Sequence, residues 1–133
     1  MSTLFLVEDD PLMSRMYERA FKANGFEVVM AFDGEEAINM LKTGDVAPGM
    51  AVLDVMMPKK SGFDVMRFMK SDEKFKDIPV VLLTNLSGEQ DAKKGLSLGA
   101  MAYLVKSSYT PREIVDKIKE IAAENPAHKK TKK

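Results

Sequence analysis

The sequence predicts an α/β protein: a (βα)₅, doubly wound, five-stranded parallel sheet with helices on both faces. Three observations predict it. Five short apolar runs recur at similar intervals: LFLV (4–7), FEVVMA (26–31), MAVLDV (50–55), IPVVLL (78–83) and AYLV (102–105). Most are continuous rather than alternating, as strands buried on both faces are. Each is followed by a stretch with helical periodicity, and strands alternating with helices imply parallel pairing through right-handed crossovers.

The elements follow in order. After the first run, PLMSRMYERAFKANG places Leu12, Met13, Met16, Tyr17, Ala20 and Phe21 in one stripe at three- and four-residue spacing. Asp10 before Pro11 reads as an N-cap with proline at the first helical position, a reading preferred to metal binding. Gly25 is the expected stop. The second helix opens on Asp33-Gly34-Glu35-Glu36, acids suited to a helix N-terminus, and turns Ala37, Ile38 and Leu41 inward. The third spans GFDVMRFMKS, with Gly62 supplying backbone freedom where the chain turns into it. The fourth is expected to start with Ser87 as N-cap and Gln90 as its capping-box partner, and to stop near Gly99. In the fifth, Thr110 caps, Pro111 sits first and Glu113 completes the box. Its inward residues are Ile114, Val115, Ile118 and Ile121.

Length and composition bound the functional classes. The chain has 133 residues, 45% hydrophobic and 30% charged, which is one domain able to bury a core without staples. A single domain is expected over 1–125, followed by a basic tail, 126–133, that is expected to be disordered. There are no cysteines, so disulfide and thiolate chemistry are excluded. The longest apolar runs are about six residues, far short of the ~20 that span a bilayer, and no leader pattern stands at the N-terminus. A cytoplasmic protein without membrane insertion is expected. KKTKK at the end holds four of the 20 basic residues, which leaves the rest net acidic and argues against direct nucleic-acid binding.

In such sheets, ligands bind at the carboxyl ends of the strands. Four of the five runs deliver polar chemistry there: Glu8-Asp9-Asp10, Asp54, Thr84 and Lys106. Three adjacent acids repel one another unless a cation is present. The only histidine, His128, lies in the tail and receives no role, so an all-oxygen cluster points to Mg²⁺ or Mn²⁺. Such a site leaves room for a phosphoryl group, with Lys106 as point charge, Thr84 as hydroxyl donor and one carboxylate as acceptor. Asp54 ends an apolar run, where an unpaired carboxylate is costly, so a functional reading outweighs a structural one. Thr84 and Tyr103 taken alone read as ordinary strand and core residues, and the methionines as core filler.

VEDDP (7–11), LDVMMPKKSG (53–62), LLTN (82–85) and YLVKS (103–107), in this order and each at a strand end, carry a family resemblance. The chain resembles the response-regulator receiver domains of two-component signalling over residues 3–124. The resemblance implies a flavodoxin/CheY-like topology with strand order 2-1-3-4-5. It implies that Asp54 accepts a phosphoryl group from a sensor histidine kinase or phosphotransfer protein, in a reaction that needs the divalent metal. Asp9 matches the direct metal ligand, Glu8 a neighbour acting through water, and Met56 a position that offers its backbone carbonyl. Thr84 matches the switch hydroxyl, Lys106 the phosphoryl-contacting lysine, and Tyr103 the aromatic that moves with the threonine. The output is then a change of partner binding on the face made by the fourth helix, fifth strand and fifth helix, in a monomer or weak dimer.

Two departures from the family pattern stand out. Lys106 is followed by Ser107 where the family usually has proline, so a trans bond, or a strained one, is expected there. Asn85 stands where a small residue is usual and is expected to narrow access for a phosphodonor. Met56 and Leu86 lie two residues beyond Asp54 and Thr84, flanking the path of hydrolytic water in the family, and imply slow self-dephosphorylation. A haloacid-dehalogenase-like phosphatase would need a second aspartate where Met56 stands. A flavodoxin-like FMN binder would need hydroxyls and glycines where the three acids stand. A receiver used as a phosphorylation-independent adaptor would have no use for Asp9, Asp54, Thr84 and Lys106 together. The protein is therefore expected to be a signalling switch rather than an enzyme with an external substrate.

Overall fold

The apolar runs become strands β1 (Thr3–Val7), β2 (Glu27–Ala31), β3 (Met50–Leu53), β4 (Val80–Thr84) and β5 (Ala102–Val105). They alternate with helices α1 (Pro11–Ala23), α2 (Gly34–Thr43), α3 (Gly62–Lys70), α4 (Glu89–Ser97) and α5 (Pro111–Glu124). These come from a computed structural model that describes residues 3–124; the predicted basic tail, 126–133, lies outside the described residues. All strand pairs are parallel, in the order β2-β1-β3-β4-β5 that the resemblance implies.

Alternation of side chains sorts the apolar runs onto two faces. Phe5, Val7, Ala51, Leu53, Val80 and Leu82 meet α2 and α3 through Ala37, Leu41, Phe63, Met66 and Met69. Leu4, Leu6, Met50, Val52, Val81 and Leu83 meet α1 and α5 through Tyr17, Phe21, Ile114, Val115 and Ile118. Both faces are covered, which is why these strands are continuous in hydrophobicity rather than alternating.

The helix ends carry most of the local sequence logic. The Asp10 carboxylate accepts hydrogen bonds from the N–H groups of Leu12 (2.9 Å) and Met13 (3.0 Å), with Pro11 behind it. Gly25, at φ 91°, ends α1. The Phe26 N–H bonds Phe21 O and the Gly25 N–H bonds Lys22 O, while the Phe21 and Phe26 rings meet edge to face, the apolar contact that accompanies this helix stop. At α5 the capping box forms as expected: Thr110 N–H to Glu113 Oε1 (2.8 Å) and Glu113 N–H to Thr110 Oγ1 (3.1 Å).

Three expectations are corrected. Ser87 does not cap α4: the helix starts one residue later, Gly88 is the cap position, and no side chain bonds there. Ser87 and Gln90 are therefore out of register for a capping box. The acids Glu89 and Asp91 in the first turn face the helix N-terminus instead. On α1 the expected stripe divides. Tyr17 and Phe21 are buried with Ser14, whereas Leu12 (79% exposed) and Met16 (37%) face outward. The sheet accepts the strip through 14, 17 and 21, and positions 12 and 16 fall on its outer side. Gly62 is needed for close approach rather than for an unusual φ: a Cβ there would stand 2.2 Å from the Asp54 carbonyl oxygen.

Gly62→Ala is accordingly expected to lower stability by about 1–3 kcal/mol through forced backbone displacement. Thr110→Ala should lose about 1 kcal/mol as the α5 cap is lost. Urea unfolding of both variants against wild type checks these values.

Candidate functional site

The sheet order makes β1 and β3 neighbours, with Val7 registered against Leu53. The next residue on each chain is Glu8 and Asp54. Asp54 N–H bonds Val7 O (2.9 Å) and Glu8 N–H bonds Ala31 O (3.1 Å), so both acids remain tied to the ladder as their side chains leave the sheet edge. Across the sheet, Thr84 is registered against Val105, which sets Lys106 one residue beyond the same edge.

Glu8 (2% exposed), Asp54 (7%) and Lys106 (8%) are buried together. The Lys106 ammonium donates to Asp54 Oδ2 at 2.8 Å and to Glu8 Oε1. The second oxygen of each acid is held by backbone: Asp10 N–H donates to Glu8 Oε2 (3.1 Å) and Met56 N–H to Asp54 Oδ1 (3.2 Å). Asp9 is exposed beside them. Carboxylate oxygens of Glu8, Asp9 and Asp54 all lie within 4.8 Å of one another. Of the two acids flanking Asp9, Glu8 turns into the site and Asp10 into the helix cap.

Charge counting explains the electrostatics. One ammonium serves two buried carboxylates, with a third acid at the mouth. Burial pulls the Lys106 ammonium down, but its hydrogen bonds to Asp54 and Glu8 outweigh that, and its pKa lies above the ordinary 10.5. Burial pushes the Glu8 carboxyl above its ordinary 4.5, against the opposing pull of Lys106 and the Asp10 N–H. Lys106 gains from both carboxylates, while Glu8 has only a share of Lys106. The site is thus short of positive charge, and its donors are all oxygen. That chemistry fits a hard divalent cation such as Mg²⁺ or Mn²⁺.

The remaining predicted residues lie on the same rim. Thr84 is buried, and its hydroxyl accepts the Leu86 N–H at 3.3 Å. The Tyr103 hydroxyl donates to the Leu86 carbonyl at 2.5 Å, and its half-buried ring lies under α4, where a Cβ on Gly95 would come within 3.1 Å of it. Leu86 thereby links Thr84 to Tyr103 through its two backbone groups. Sequence reasoning had given Leu86 only its side chain, and Gly95 no role; the glycine inside a helical pattern was the available signal for the close approach. Met56 is 62% exposed and Asn85 is exposed. Among the described residues no peptide bond is cis, so Lys106-Ser107 is trans.

This fold and rim define a class, and the comparisons name it. Residues 4–119 match the family model described as the response regulator receiver domain, and the chain belongs to that family. It is 36% identical over 121 residues to the transcriptional regulatory protein CpxR of Escherichia coli K12, covering 91% of this chain and 49% of that protein. It is 37% identical over 125 residues to the probable transcriptional regulator ycf27 of Cyanophora paradoxa, covering 92% and 50%. The chain thus spans about half the length of the curated relatives it matches. Among solved structures it resembles a phosphorylated cyanobacterial phytochrome response regulator, RcpA (TM-score 0.83, 32% identity, 92% of this chain and 94% of that one). It also resembles the Mn²⁺-bound response regulator Rcp1 (TM-score 0.80, 27% identity, 93% and 94%). Among the described residues no helix is long and apolar enough to cross a membrane.

Removing the ammonium strands two buried carboxylates. Lys106→Met is expected to cost about 3–5 kcal/mol at neutral pH. Because a carboxyl whose folded pKa is raised favours the folded state at low pH, lowering pH toward 4.5 should recover part of that loss in the variant. Urea midpoints of the variant between pH 8 and pH 5, against wild type, measure the recovery; a loss independent of pH would contradict the charge count.

Proposed function

We propose that this chain is a phosphorylation-controlled switch that accepts a phosphoryl group on Asp54 from a sensor histidine kinase or phosphotransfer protein. The observation that carries the reading is the hydrogen bond from Lys106 to Asp54 Oδ2, which holds the carboxylate in place at the C-terminal edge of the sheet. Glu8, Asp9 and Asp54, with the Met56 carbonyl, would hold Mg²⁺ or Mn²⁺, with Glu8 acting through water. When bound, the cation offsets the acids' negative charge and that of the incoming phosphoryl oxygens.

An Asp54 oxygen attacks phosphorus while the bond from phosphorus to the donor imidazole nitrogen breaks, and the imidazole leaves with the electron pair. Lys106 then pairs with the new phosphoryl oxygens. The Thr84 hydroxyl donates to them and gives up the Leu86 N–H. Leu86 passes that rearrangement to Tyr103, and so to the face formed by α4, β5 and α5, where a partner selects one state. The relatives named as transcriptional regulators support an output in gene regulation through such a partner. The net acidic charge of the domain argues against direct nucleic-acid contact. A cytoplasmic location and a monomer or weak dimer fit this role, and the protein turns over no external substrate.

Incubation with acetyl phosphate or beryllofluoride and Mg²⁺, read by intact mass or NMR, tests this. An adduct on wild type that is absent from Asp54→Asn is expected. No adduct on wild type, or the same adduct on the variant, would sink the reading. The half-buried Leu86 and exposed Met56 flank the site with apolar side chains, so Met56→Asn and Leu86→Glu should each shorten the lifetime of the acyl phosphate. Unchanged decay would refute that role.

A further inference from the structure

We propose that Met56 is a peroxide-sensitive site whose oxidation shortens the phosphorylated state; the lifetime half of this rests on Asp54 being the acceptor. The chain has no cysteine, so thioethers are its most oxidisable sulfur groups. Of the methionines among the described residues, Met56 is the most open to solvent, at 62% exposure; Met101 follows at 47% and Met16 at 37%. Met50, Met66 and Met69 are buried, and Met13, Met30, Met40 and Met57 are partly buried.

Exposure alone would make Met56 an oxidation target without consequence. Its position supplies the consequence. Its backbone N–H is bonded to Asp54 Oδ1, so the side chain is rooted at the acceptor carboxylate. The side chain lines an open hollow with Asp9, Val55, Met57, Pro58 and Ser61, on the rim of the acidic cluster. An apolar thioether there keeps water from being held next to Asp54. A hydroperoxide transfers one oxygen to the thioether sulfur: the O–O bond breaks, an S=O bond forms, sulfur loses two electrons and, with hydrogen peroxide, water leaves. The sulfoxide oxygen is a strong hydrogen-bond acceptor that holds water at the site the thioether kept dry. The acyl phosphate is then hydrolysed faster, and the signal is cleared under oxidative conditions. Methionine sulfoxide reductase reverses the change.

The test uses the full chain and hydrogen peroxide. Peptide mass spectrometry over a peroxide time course should find Met56 sulfoxide forming several-fold ahead of Met101 and Met16. Protein oxidised to that point, loaded with acetyl phosphate and Mg²⁺, should lose its phosphoryl group several-fold faster than untreated protein. The reductase should restore the slower decay, and peroxide should leave the decay of Met56→Leu unchanged. Oxidation of Met56 no faster than of Met101 overturns the proposal, as does equal acceleration in Met56→Leu. An adduct whose lifetime peroxide does not alter overturns the proposal while leaving the acceptor role of Asp54 intact. Absence of any adduct on untreated protein overturns both.

Discussion

The Lys106 ammonium, shared between Glu8 and Asp54, is the interaction around which the rest of this molecule is arranged. It ties together the ends of β1, β3 and β5, joining the lysine to acids 98 and 52 residues away in sequence. Two carboxylates with single-digit exposure would be prohibitive without it. With it they remain short of charge, because one ammonium cannot neutralise both. Burial raises the Glu8 pKa, and its share of Lys106 does not bring it back down. The donors of a site built this way fit one more cation.

The sheet order is what makes the shortage possible. If β1 and β3 were not neighbours, Glu8 and Asp54 would end on separate parts of the edge and each would find water. The register of Val7 against Leu53 puts them side by side, at the place where the strand order reverses. The close approach of Gly62 to the Asp54 carbonyl then directs the chain into α3 immediately behind the acid. Local glycine chemistry, sheet topology and site electrostatics are therefore one constraint seen at three levels.

Much of this was legible in the sequence, for identifiable reasons. Continuous apolar runs followed by helical periodicity give (βα)₅ almost unaided, because both faces of each strand must be covered. Asp10 could be assigned to the helix because Pro11 follows it, whereas Glu8 entered the site through the family resemblance. Other features were not legible. Periodicity on α1 marks an apolar stripe but not where the sheet edge cuts it, so Leu12 and Met16 were grouped with Tyr17 and Phe21. At α4, Ser87 and Gly88 are both acceptable caps, and the backbone path out of β4 chose the glycine. The bond from Tyr103 to the Leu86 carbonyl joins groups 17 residues apart through an acceptor that every residue carries, so no side-chain pattern announces it.

That last contact bears most directly on how a local event at Asp54 could be felt elsewhere. Leu86 offers its N–H to Thr84 and its carbonyl to Tyr103, so one peptide segment answers to both side chains. Tyr103 has little freedom to respond independently, because Gly95 brings α4 down onto its ring and onto Leu82. A change in what the Thr84 hydroxyl bonds must therefore be absorbed either by the loop carrying Leu86 or by the packing between Tyr103 and α4. The loop carries exposed residues at Asn85, Ser87 and Gly88, and α4 starts without a side-chain cap. The absent cap leaves the first turn of α4 held less firmly than those of α1 and α5. The one α-helix beside the site without a side-chain cap is thus also the one that lies against Tyr103.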